Sequence, residues 1–328
     1  MITARGLHRR FAVRGGTVDA VRGVDLDIQP GEIAAFLGPN GAGKTTTARM
    51  LTTLLRPSGG TATVAGRDLL TDPLGVRRRI GAVAQGHGSS ADARVGEQVE
   101  LQARLYGLAK AEARRRTAWL LGELDLDGLY RREAKALSGG QRRRLDLALG
   151  LVHRPSLVFL DEPTTGLDPQ SRANLWAHIR WLRRDHGVTV FLTTHYLDEA
   201  DALADRVFVM DHGRIVARGT PAQLKSSISG DWITIRVQAD HMRRAMAVVY
   251  NFSAAREVTC SGDQLCFSTP RGDTVLPALL RNLELAAVTT TAVEVRTSTL
   301  DDVFLTLTGR NLRDTPAPGG AKEADRVA

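Results

Sequence analysis

Only two cysteines, Cys260 and Cys266, occur in 328 residues. That is too few for a disulfide framework, so the chain is read as one built for a reducing compartment. Aromatic residues make up 5%, and no basic stripe carries interleaved aromatics of the kind that stacks on nucleic-acid bases, so no specific nucleic-acid partner is expected. No apolar run approaches the roughly 18–20 residues that a bilayer-spanning helix needs. The opening Met1-Ile2-Thr3-Ala4-Arg5 lacks the apolar stretch of a signal peptide, and the chain is expected not to cross a membrane. Lysine is scarce: five of the 44 basic residues, the rest being arginine. The composition is otherwise that of an ordinary globular chain, with 43% hydrophobic and 24% charged residues, which excludes disordered and collagen-like classes.

The net charge is +8. Arginine clusters at Arg77–Arg79, Arg114–Arg116 and Arg142–Arg144 fall where helices are expected and read as solvated helix faces; a peripheral contact with anionic lipid headgroups is the other reading.

Short alternating stretches such as Val24-Asp25-Leu26-Asp27-Ile28 predict antiparallel strands near the start. Glu32 to Leu37 reads as a buried strand, followed by a glycine-rich turn and a helix from Thr45 to about Leu55. Residues 75–155 are mainly helical in pattern. Three more apolar runs, Leu157–Leu160, Val188–Leu192 and Val207–Met210, interleave with helical segments, as in a mainly parallel α/β sheet. After Thr220-Pro221 the character changes. A strand (Ile233–Val237), a helix (Asp240–Tyr250), a hairpin at Gly262-Asp263, a helix (Thr274–Asn282), a strand (Val288–Val295) and a helix (Thr299–Leu307) predict a small α+β module. Cys260 and Cys266 flank that hairpin as plain strand residues.

Gly38-Pro39-Asn40-Gly41-Ala42-Gly43-Lys44-Thr45-Thr46 fits G-x-x-x-x-G-K-[ST] between a strand and a helix. Its backbone N–H groups would face β- and γ-phosphates, Lys44 would bridge them, and the Thr45 hydroxyl would ligate Mg²⁺. Leu157–Leu160 runs into Asp161-Glu162, an apolar strand ending in two carboxylates, which is costly unless they have partners. Asp161 would hold Mg²⁺ through water and Glu162 would act as general base on the attacking water; helix capping is the plainer alternative. Leu137-Ser138-Gly139-Gly140-Gln141 opens an Arg-rich helix and offers a second anion site, or simply an N-cap.

Taken together, these motifs with Gly166-Leu167-Asp168-Pro169 and His195, in this order and spacing, resemble the nucleotide-binding subunit of an ABC transporter over roughly residues 1–222. The resemblance implies an α/β P-loop NTPase of ABC type: an antiparallel β subdomain, a parallel-sheet core and a helical subdomain, here with a small α+β domain at 223–310 and a disordered tail at 311–328. It implies that Leu137–Gln141 binds ATP held by the other protomer of a homodimer. His195 matches the switch histidine at the γ-phosphate, and Gln85 the glutamine that senses Mg²⁺ and water and faces the membrane partner. Phe11 resembles the residue that stacks on adenine, although Leu7, Phe11 and Val13 also fit strand core. Asp168 resembles the acid that couples the two sites. Arg94-Val95-Gly96-Glu97-Gln98 departs from the commonest family pattern.

The ending Leu300-Asp301-Asp302-Val303-Phe304-Leu305, with Leu307-Thr308-Gly309, resembles daunorubicin/doxorubicin-resistance export ATPases. Leu300, Val303, Phe304 and Leu307 also form an apolar stripe that can dock the helix. The resemblance implies ATP and Mg²⁺ as cofactors, an integral-membrane permease on a separate chain, a peripheral place at the cytoplasmic face of the cell membrane, and drug or antibiotic efflux. A lipid, polysaccharide or ion exporter, or a soluble non-transport ATPase, is the alternative.

Overall fold

The computed structural model describes residues 1–13, 15–86, 88–227 and 230–309; the tail expected at 311–328 lies outside them. One compact unit spans Met1–Arg218 and a second begins at Gly219, a few residues before the division expected from the sequence.

In the first unit β1 (Ile2–Val13), β2 (Gly16–Ile28), β3 (Ile33–Leu37), α1 (Lys44–Leu51), β4 (Gly59–Val64), β5 (Arg67–Asp68), α2 (Pro73–Arg77) and β6 (Ile80–Val83) come first. They are followed by α3 (Val95–Leu105), α4 (Lys110–Glu123), α5 (Gly139–Leu151), β7 (Leu157–Asp161), α6 (Pro169–His186), β8 (Thr189–Thr194), α7 (Leu197–Leu203), β9 (Arg206–Asp211) and β10 (Arg214–Gly219). An antiparallel sheet has the order β2-β1-β4-β5, and a six-stranded sheet the order β10-β9-β3-β8-β7-β6. Strands β3, β6, β7, β8 and β9 pair in parallel.

These parallel strands are apolar on both faces because helices cover both, so alternation is lost. Phenylalanines link four of them: Phe36 lies 4.5 Å from Phe191 and 5.1 Å from Phe208, and Phe159 5.1 Å from Phe191, ring centre to ring centre. Register does the functional work. Leu37 sits beside Thr194, Asp161 beside Thr193, and Val83 beside Leu160. The segments after β3, β6, β7 and β8 therefore leave the sheet at one carboxyl edge, where open α/β sheets bind ligands.

The arginine trios are not uniformly solvated. Arg143 is 5% exposed, and half-buried Arg116 lies 4.2 Å over the Trp119 ring, its pKa lowered to about 10 by burial and by Arg154. Trp119 on α4 is in turn 5.9 Å from Trp181 on α6, with the His186 ring edge-on to both. Helix α1 stops at Leu51, short of the Leu55 expected, because Thr53 takes a positive φ of 64° and the Arg49 carbonyl accepts from both Leu54 and Leu55.

The second unit contains α8 (Pro221–Ser226), β11 (Asp231–Val237), α9 (Met242–Tyr250), β12 (Arg256–Ser261), β13 (Gln264–Thr269), α10 (Gly272–Leu285), β14 (Thr290–Arg296) and α11 (Leu300–Thr308). Its sheet order is β12-β13-β11-β14, with β11 antiparallel to both neighbours. Ile233, Ile235 and Val237 alternate inward against Met242, Ala245, Val249, Leu279 and Leu283. Helix α11 packs on α8, burying Leu300, Val303 and Phe304, whereas Leu307, the fourth residue of the expected stripe, is 43% exposed. Cys260 and Cys266 are free thiols on β12 and β13.

Candidate functional site

The turn after β3 begins at Gly38 and ends at Gly43, whose φ of 103° is left-handed. An added Cβ there would stand 2.5 Å from the Ala20 carbonyl oxygen, so only glycine lets the loop pass β2. Gly43 N-caps α1 without a side-chain hydrogen bond, leaving first-turn N–H groups for an anion. Pro39 and Ala42 are buried, Asn40 and Gly41 exposed, and Thr45 and Thr46 half-buried.

Lys44 is 4% exposed. Its Nζ donates to the Gly38 and Pro39 carbonyls at 2.7 and 3.1 Å and lies 3.8 Å from Glu162 Oε1. Burial lowers its pKa, opposed by the nearby Glu162 and Asp161 charges. The Thr45 hydroxyl donates to Asp161 Oδ1 at 3.0 Å, and Thr193 donates to the same oxygen. A hydroxyl and a single carboxylate converging from two elements form an oxygen donor set of the kind that holds Mg²⁺ together with substrate phosphates.

Glu162 is the hub. It is 6% exposed and adopts φ 46°, a strained conformation for a non-glycine residue of the sort concentrated at functional sites. Its N–H bonds to the Thr193 carbonyl and hydroxyl at 3.0 and 3.1 Å. Oε2 accepts from Gln85 Nε2 at 2.9 Å and from Thr165 at 3.3 Å, while His195 Nδ1 lies 3.2 Å from Oε1 without an aligned hydrogen bond. Burial would raise the Glu162 pKa, but His195, Lys44 and Thr165 outweigh it and hold it below the ordinary value. A buried, ionised carboxylate facing a phosphate-loop lysine can orient water and accept its proton.

Lys44, Thr45, Gln85, Asp161, Glu162 and His195 thus meet at one place, with the rest of the Gly38–Thr46 loop around Lys44. Phe11, Leu137–Gln141 and Asp168 are not joined to this cluster by any hydrogen bond or ion pair among the described residues. Phe11 is half-buried on β1 with the Arg9 guanidinium 4.6 Å from its ring. Leu137 precedes Ser138, which caps α5: Gln141 N–H donates to Ser138 Oγ at 3.2 Å and Ser138 N–H to Gln141 Oε1 at 3.0 Å, a reciprocal capping box. Gly139 is exposed and Gly140 buried. Asp168 caps α6, accepting from the Ser171 N–H at 2.8 Å and hydroxyl at 2.7 Å, bonds that lower its pKa.

Two further buried charged residues, Arg143 and Glu199, lie outside the expected site set. Glu199 is fully buried on α7, accepts from Trp176 Nε1 at 3.2 Å, and has a pKa raised by burial. The signal for Arg143 was helical period: Gly140, Arg143, Leu147 and Gly150 share the buried side of α5.

A model of the ABC transporter family matches residues 21–165. Over 320 residues the chain is 45% identical to the daunorubicin/doxorubicin resistance ATP-binding protein DrrA of Streptomyces peucetius, covering 94% of this chain and 93% of that protein. It is 36% identical over 315 residues to the Nod factor export ATP-binding protein I of Ralstonia nicotianae, covering 96% and 95%. Among solved structures it is similar to a dimeric ATP-binding cassette in a post-hydrolysis state bound to ADP and Pi, with TM-score 0.63 and 24% identity over 67% of this chain and 98% of that one; at this identity the likeness is one of fold. With the phosphate loop and the paired carboxylates already in place at one sheet edge, the class follows: the chain is a nucleotide-binding ATPase of the ABC transporter family. Within that family it belongs with the daunorubicin/doxorubicin-resistance type of ATP-binding subunit.

Proposed function

We propose that this protein drives efflux of a hydrophobic drug or antibiotic through a permease carried on a separate chain. Likeness to a resistance ATP-binding protein along nearly the whole length, C-terminal unit included, is the observation that carries this reading. The working form is a homodimer with two ATP sites on the cytoplasmic face of the membrane. In each site Gly38–Thr46 cradles the phosphates and Lys44 neutralises them. Thr45 and Asp161, with Gln85 nearby, would hold Mg²⁺, which would supply charge neutralisation to the phosphates. Glu162 takes the proton of the attacking water, and His195, beside Glu162, reaches the γ-phosphate. Ser138 and its glycines, half free at the α5 N-terminus, meet the ATP of the opposing protomer, Asp168 couples the two sites, and Phe11 stacks on adenine. The domains in this reading are the ATPase at 1–222 and, at 223–310, a module that regulates or stabilises the dimer.

Glu162→Gln tests the engine: ATP binding and ATP-dependent dimerisation are retained while turnover falls by about 10²–10⁴. A variant that stays monomeric with ATP, or hydrolyses it normally, overturns the reading. Supplying the membrane subunit with and without an anthracycline tests the cargo; stimulation by drug that Glu162→Gln abolishes is the expected result. Coupling without a drug response would favour another exported cargo, a reading with its own support in the likeness to a Nod factor export protein.

A further inference from the structure

The guanidinium of Arg143 makes four hydrogen bonds, all to backbone carbonyls. Nη1 donates to Ala84 O at 2.7 Å and more weakly to Gly86 O at 3.4 Å. Nε donates to Pro163 O at 2.8 Å and Nη2 to Asp161 O at 3.0 Å. Ala84 and Gly86 are the neighbours of Gln85; Asp161 and Pro163 are the neighbours of Glu162. One planar fork therefore grips the chain on both sides of each of the two side chains that meet at 2.9 Å.

Neither loop holds its shape by regular structure. Gln85 follows the end of β6, and Glu162 sits at positive φ just beyond β7. The Glu162 N–H is already tied to Thr193 on β8, but carbonyls 161 and 163 point the other way, toward α5. Burying a cation to satisfy carbonyls is expensive, and desolvation lowers the Arg143 pKa although Asp146, Asp161 and Glu199 oppose it through space. An ordinary core would fill this place with an apolar residue and let water or a turn satisfy the carbonyls. What five donors in a rigid plane supply, and an aliphatic side chain or a lysine does not, is a fixed distance between two loops. Because Ser138 caps α5, the same side chain also fastens the capped Ser138–Gln141 turn to both loops.

We propose that Arg143 is a positioning residue for ATP hydrolysis, setting the separation and orientation of Gln85 and Glu162 by clamping the carbonyls on either side of each. The proposal rests on the reading of Glu162 and Gln85 given above. The partners of Arg143 are the four backbone carbonyls, so it acts through the two loops.

Arg143→Lys and Arg143→Gln in the full-length protein test it. Either variant is expected to lose about 10- to 100-fold in kcat, the scale of a misplaced reacting group, with KM for ATP changed less than about threefold and Tm within about 4 °C of wild type. In a Gln85→Ala background the same substitution should cost a clearly smaller factor, since part of what Arg143 positions is gone. An unchanged kcat, a rise in KM at constant kcat, or an equal factor in both backgrounds overturns the proposal. So does failure of both variants to fold, which would make the residue structural. If Glu162→Gln turned over normally, the underlying reading would fail first, and the two failures are distinguishable.

Discussion

Two buried glutamates within one unit carry opposite pH signatures. Glu162 has a folded pKa below its unfolded value of about 4.3. Its contribution to stability is therefore complete above that value and disappears as pH falls through the folded one. Glu199 is raised by burial, so its contribution is complete below about 4.3 and is lost as pH rises through its folded value. Urea unfolding across pH reads both. The stability difference between wild type and Glu162→Gln should stay constant from pH 8 to about 5 and change only in more acid solution. Glu199→Gln keeps an acceptor for the Trp176 indole and should gain on wild type steadily as pH rises. A Glu199→Gln variant that lost ground at alkaline pH would show that the carboxylate is paired rather than neutral. At this scale the sequence was legible where chemistry demands a residue type at fixed spacing, as for Lys44, Thr45 and the Asp161-Glu162 pair. Arg143 was harder to read: helical period puts it on the buried side of α5 with Gly140 and Leu147, but only tertiary packing shows which carbonyls it meets.

At the scale of elements, strand–loop–helix order could be read because short, fully apolar runs closed by glycine or acid fit a buried parallel sheet and little else. Ends were harder to place. Helix α1 gives way where Thr53 adopts positive φ, a conformation no local pattern announces. The stretch Arg94–Gln98 is held by local contacts. Tyr130 lies flat against Gly96 in α3, so that a Cβ would come within 2.1 Å of its ring, and the Tyr130 hydroxyl reaches Glu100 at 2.6 Å. Gln98 ties down the preceding turn through Ser90 and Ala93. These contacts anchor Gly96 and Gln98 within the helical region, while Arg94 and Glu97 stay exposed. For the phosphate loop, Gly43→Ala should cost about 1–3 kcal/mol in backbone strain alone and abolish tight ATP binding, because the Ala20 carbonyl blocks the new methyl group. Thermal unfolding and nucleotide titration of that variant check both halves; normal ATP affinity would mean the loop has other routes past β2.

Over the whole molecule, the chain divides its tasks between a unit whose register assembles a chemical site and a unit whose alternating strands build an independent core. The second was legible from period-2 patterning in β11, and its last helix from the Leu300–Val303–Phe304 stripe; exposure of Leu307 was not, since a stripe says which side faces inward but not where the covering surface ends. Phe304 is 1% exposed, and Phe304→Ala should destabilise the unit beginning at Gly219 by about 3–5 kcal/mol. Denaturant titration followed at Trp232, which lies in that unit, reads the loss; no shift in its transition would mean that α11 is dispensable to the core.

The indoles of Trp119 and Trp181 belong to different helices, α4 and α6, yet stand almost in van der Waals contact beside the His186 imidazole. Chromophores this close share their excited state, and an imidazole stands edge-on to both. The protein therefore carries its own optical gauge. Near-ultraviolet circular dichroism and tryptophan emission report, without any label, whether those two helices keep their distance as nucleotide comes and goes.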